Sequence, residues 1–131
     1  MVIDKTLLDN LTEQAKANPR LRQSYDLRTT PEEKSQRMLN ALEPGTIMPI
    51  HRHRNTSETM VMVRGKLIER FYDNNGKNTE ELVMEPCGQY PLVQIEADQW
   101  HTLEVIEEGT VIFEAKDGAY EALESIDIYN K

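Results

Sequence analysis

The sequence predicts an all-β fold, an antiparallel sandwich or barrel that carries one N-terminal α-helix. Three observations predict it. From about Gln36 onward, short runs rich in Val, Ile, Leu, Met and aromatics alternate with Gly, Pro, Asn and Asp. Asp73-Asn74-Asn75-Gly76 is a strong hairpin turn between two such runs. Only near the N-terminus does the apolar spacing change to a helical period.

The helix is expected over residues 4–17. Asp4 can cap it, Leu7, Leu8, Leu11 and Ala15 fall on one face, and Asn18-Pro19 ends it because proline disfavours helix in the residue before it. Residues 20–34 are polar, and Thr30-Pro31-Glu32-Glu33 suits a short helical turn with Pro31 in first position. Strands are expected near 36–43, 47–53, 59–72, 80–85, 90–96, 101–107 and 110–116, with a second turn at Glu107-Glu108-Gly109-Thr110. Many short strands at even spacing favour a sandwich or barrel over alternating β and α units. Residues from about Glu121 carry no assignment. The organisation expected is a helix and connecting segment over 1–35, packed on a barrel over 36–131.

Size and composition bound the function. A chain of 131 residues suits one domain, and 38% apolar with 29% charged residues is a globular composition. A net charge of −8 without a basic stripe argues against a nucleic-acid partner. No apolar run is long enough to span a membrane, and no signal core is visible, so a cytoplasmic protein is expected. Cys87 is the single cysteine, which rules out an intrachain disulfide and suits a reducing compartment.

The chemistry concentrates in GTIMPIHRHRNTSETMVMVRG, Gly45 to Gly65. It holds two of the chain's three histidines. Side chains two apart on a strand share a face, so His51 and His53 would point the same way. The polar turn 54–57 resets the parity and lets Glu58 open an adjacent strand facing the same interior. With His101, from DQWHTLEV, the set is three imidazole nitrogens and one carboxylate oxygen. That donor set suits iron, manganese, nickel, copper or zinc, whereas magnesium and calcium prefer oxygen shells.

The spacing of Gly45, His51, His53, Glu58 and Gly65 resembles the first motif of the cupin superfamily without a gap. The second motif is reduced. His101 stands at its histidine, but Glu96 takes the proline place, Asp98 the second glycine place and Val105 the asparagine place. Segments 17–22, 37–46, 51–53, 99–103 and 113–120 are similar to the WbuC-type cupin-fold metalloproteins, some of them encoded among bacterial O-antigen polysaccharide genes. The resemblance implies a double-stranded β-helix, one bound divalent metal (Fe, Mn, Ni or Zn) and a homodimer. The metal ligands expected are His51, His53, Glu58 and His101. Arg37 and Asn40 are candidates for holding a small-molecule ligand, and Tyr120 and Lys116 for moving protons. Three functions fit such a site. It can serve a metal-dependent isomerase or epimerase acting on a sugar or other small oxygenated metabolite in polysaccharide biosynthesis. It can also serve an iron dioxygenase, or a non-catalytic module that binds a small molecule. Whether the protein is an enzyme stays open at this level.

Overall fold

The computed structural model describes residues 1–118 and 120–130; Ala119, in a segment that carries the resemblance, and Lys131, the last residue of the expected barrel, lie outside them. Helix α1 spans Lys5–Ala17, with the Asp4 side chain accepting a hydrogen bond from the Leu7 amide. Eight strands follow: β1 (Arg22–Asp26), β2 (Ser35–Leu42), β3 (Glu58–Arg64), β4 (Leu67–Tyr72), β5 (Asn78–Met84), β6 (Leu92–Ile95), β7 (Trp100–Val105) and β8 (Thr110–Asp117). They form two antiparallel sheets, ordered β1-β2-β8-β3-β6 and β5-β4-β7. The fold is the all-β sandwich with an N-terminal helix that the sequence predicts.

Each sheet buries one face against the other. Leu42, Met60, Met62 and Ile112 from the larger sheet meet Leu67, Phe71, Leu82 and Met84 from the smaller. A second core lies outside the larger sheet, where α1 lays Leu11 and Ala15 on Leu39, Ala41 and Val111. Strand β2 therefore buries both faces, with Leu39 and Ala41 toward the helix and Leu42 toward the sandwich. Arg64 fastens the helix, reaching Asp9 at 2.7 Å and the Thr12 hydroxyl at 2.9 Å.

Four local expectations are corrected. Residues 47–53 form no strand; the run is broken at Pro49, and only His51 pairs, in isolated bridges. The expected strand 59–72 is two strands in different sheets, because the chain changes sheet at Gly65. That residue has φ +87°, and an added Cβ would lie 2.5 Å from the Thr110 Cα, so glycine is required on both counts. Residues 22–26, expected as polar connection, form edge strand β1 against β2. Thr30–Glu33 makes a turn and not a helix.

After β8 the chain returns across the mouth of the sandwich. A short 3-10 turn at Ser125–Asp127 leads to Ile128, which bridges His51. The amide of Tyr129 donates to the Ile50 carbonyl at 2.8 Å, and that of Arg52 to the Asp127 carbonyl at 3.0 Å.

Candidate metal centre

His51 and His101 exchange both backbone hydrogen bonds, His51 N to His101 O at 2.9 Å and the reverse at 2.8 Å. That close antiparallel pair sets the two rings side by side, with centroids 4.3 Å apart. His53, two residues on, keeps its ring 5.3 Å from that of His51. Its carbonyl accepts from the Asp98 amide at 2.8 Å. Asp98 has φ +71°, a left-handed conformation aspartate tolerates, at the place where the motif expects glycine. Thr102 holds the preceding loop by donating to the Met48 carbonyl at 2.7 Å. The loop 50–53 is thus held on one flank by β7 and on the other by the returning chain.

One ligand atom from each of His51, His53 and His101 lies within 4.8 Å of the other two. Nδ1 of His51 lies 2.8 Å from the Pro49 carbonyl, and Nδ1 of His101 lies 2.8 Å from Glu69 Oε1. The Pro49 carbonyl requires an Nδ1–H donor, and an ionised Glu69 requires another, which leaves each Nε2 as a lone pair. Burial, then repulsion from Glu114, pushes the Glu69 carboxyl well above the usual carboxylate range, and a cation at His101 Nε2 would select its ionised form. Nε2 of His101 is buried without a hydrogen-bond partner among the described residues. A buried, orphaned lone pair turned toward two other imidazoles is the condition a metal ion relieves. Burial, first of all, pushes the pKa of each ring down to about 4; for His51 and His53 the Lys116 ammonium adds to the effect. The three rings are unprotonated at neutral pH, as ligands must be. These residues fit a divalent transition metal.

Glu58 is buried at the start of β3, with Oε2 3.4 Å from His53 Nε2. Its route there differs from the expected one. It comes from the larger sheet, where β3 pairs with β8 and β6, and not from a strand adjacent to the histidine loop. The histidines and Glu58 therefore approach from opposite layers. The carboxyl of Glu58 is hydrogen-bonded to that of Glu114, and burial followed by repulsion from Glu114 pushes it well above the usual carboxylate range. Glu114 is raised too, by burial, and it accepts from Asn40 Nδ2 at 2.9 Å. Both shifts favour a proton on the pair when no cation is bound, and a cation at the histidines would favour its release.

The remaining candidates fall in different places. Asn40 faces the interior and holds Glu114. Arg37 has the opposite parity on β2 and pairs with Glu33 at 3.0 Å. Lys116 lies opposite Glu58 on β8. Tyr120, 65% exposed, stands beyond the end of β8. Glu69 and Glu114 carry much of the site, yet sequence reasoning passed over them. Alternation could have found both: Glu69 stands between Leu67 and Phe71, and Glu114 between Ile112 and Lys116, each two residues from an inward neighbour.

Comparison with known proteins agrees with this architecture. CapF from Staphylococcus aureus, a capsular polysaccharide assembling protein, superposes with a TM-score of 0.66 at 21% identity; the match covers 79% of this chain but only 30% of that one. The cupin domain of Schizosaccharomyces pombe Cnp3 gives 0.59 at 9% identity, over 75% of this chain and 65% of that one. KdgF from Halomonas sp. gives 0.58 at 12% identity, over 76% and 81%. No curated protein matches by sequence. These likenesses establish the cupin fold. Residues 3–84 match the family model described as a domain of unknown function, DUF6016. That match takes in α1, both histidines of the loop and the strands that carry Glu58 and Glu69, and on it the chain is a member of the DUF6016 family.

Proposed function

We propose that this protein is a cupin that binds one divalent transition metal through His51, His53 and His101, with Glu58 as the fourth donor, and acts on a small oxygenated metabolite. The observation that carries the proposal is the convergence of three neutral imidazoles, one with a buried Nε2 that has no hydrogen-bond partner among the described residues. A metal held there supplies Lewis acidity toward a hydroxyl or carbonyl oxygen. The protein's own residues supply the rest. Pro49 and an ionised Glu69 fix two ring tautomers. With Glu58 ionised as a donor to the cation, Glu114, held by Asn40, is the carboxyl left to take up and return a proton beside the rings. A single group of that kind suits isomerisation or epimerisation, in which one proton leaves and one returns.

We place the protein among the WbuC-type cupins, with a role in bacterial polysaccharide synthesis. The segments over 37–46 and 99–103 support that placement, as does the fold it shares with a capsular polysaccharide assembling protein. The test is elemental analysis of purified wild type, His51→Ala and His53→Ala at equal protein concentration. About one metal per wild-type chain and close to none in either variant is expected. Equal metal in all three samples refutes the site.

A further inference from the structure

Gln36, Lys116 and Glu58 lie in one row across β2, β8 and β3, each the direct register partner of the next. Such partners have Cβ atoms about 5 Å apart on a common face. The row faces the histidines: Glu58 touches His53, and the charge of Lys116 is felt at both His51 and His53. Two of its members have unmet bonding capacity. Gln36 is 3% exposed, and its Oε1 has no partner among the described residues. Lys116 is half-buried, yet among the described residues it makes no ion pair, whereas Arg52, Arg54, Arg64 and Arg70 all do.

An ammonium and an amide side by side on the inward face of a sheet make a donor set for a planar anion with two oxygens. The amide can turn over to donate. Among the described residues there is no arginine fork and no run of backbone amides here, so the three terminal oxygens of a phosphate would be left short of donors beside Glu58 and Glu114. We infer that Lys116 and Gln36 form the carboxylate subsite of the centre, and that its ligand is a small acid with an oxygen on the adjacent carbon, a 2-hydroxy or 2-oxo acid. The carboxylate lies on Lys116 and Gln36, and the neighbouring oxygen reaches toward the histidines. This assignment rests on the metal-centre reading for the second contact alone; the first is made entirely by the protein.

Calorimetric titration of glycolate into wild type, Lys116→Met, Lys116→Arg and Gln36→Leu tests it, each protein prepared both zinc-free and zinc-loaded. Zinc content is measured on the same samples. Loss of a charge-assisted contact should weaken glycolate binding about ten-fold or more in Lys116→Met. Lys116→Arg should keep most of the affinity, Gln36→Leu should fall between, and zinc content should be the same in all four. Glycolamide, the neutral analogue, should bind weakly. Glycolate binding by Lys116→Met equal to wild type overturns the assignment. So does displacement of glycolate by glycolamide or inorganic phosphate at matching concentration. A wild type that takes up no zinc refutes the metal reading instead. In that case loss of glycolate binding in zinc-free Lys116→Met still upholds the subsite, and equal binding refutes it.

Discussion

Replacing Glu69 with alanine isolates the contribution of a residue that touches no ligand directly. Glu69 is fully buried, and its Oε1 lies 2.8 Å from His101 Nδ1, accepting from it when Glu69 is ionised. That bond fixes the ring orientation and directs Nε2 inward, so its loss leaves the ring free to turn or to adopt the other tautomer. Removing an outer partner of a metal-bound histidine typically costs ten- to a hundred-fold in affinity, or about 1.4–2.8 kcal/mol. The unpaired Nδ1–H costs about 1–3 kcal/mol of folding stability besides. Glu69→Gln retains an acceptor oxygen and should fall much closer to wild type. Zinc affinity is measured by competition with a chromophoric chelator near neutral pH, and the histidine nitrogen shifts by NMR report the tautomer. Equal zinc affinity in wild type and Glu69→Ala, with His101 still protonated at Nδ1, would refute the reasoning.

Other consequences are open to direct measurement. Gly65→Ala should lose about 2–4 kcal/mol in urea denaturation, since it combines positive φ with a clash against Thr110 backbone. In Glu58→Gln, which removes the carboxyl whose proton a cation would displace, zinc content should stay level as pH falls through the ordinary histidine value of 6.5 and drop only toward about 4, because burial holds the three rings neutral in that interval; half-loss at pH 6.5 would contradict this. Asp127→Ala removes the carboxylate that Arg54 Nε meets at 2.7 Å. It should lower stability only slightly and speed amide exchange at Tyr129 more than in β8.

The helix and most strands were legible because their signals are local. Asp4 with the leucines at helical spacing gave α1 to within a residue, and Asp73–Gly76 gave the β4–β5 hairpin. Strand β1 was hidden because it is an edge. Four of its five residues are polar, and its last three are exposed, so no alternation appears. The 47–53 run looks apolar enough for a strand, yet its pairing comes from His101 and Ile128, which are distant in sequence. For the same reason spacing named the three histidines that converge but placed Glu58 in the wrong layer. Buried Glu69 and half-buried Glu114 were passed over because inward carboxylates in mid-strand are rare, and only knowledge of which face is inside separates them from surface charge.

The hydrogen bonds that hold the HisArgHis loop have a bearing on biosynthesis. The amide of Tyr129 and the carbonyl of Asp127 clasp residues 50 and 52. A nascent chain emerging from the ribosome would expose His51 and His53 long before their clasp was made. The loop can be completed only after the segment around Ile128 has cleared the exit tunnel, so a nascent chain that already exposes His101 still holds the HisArgHis loop without its clasp.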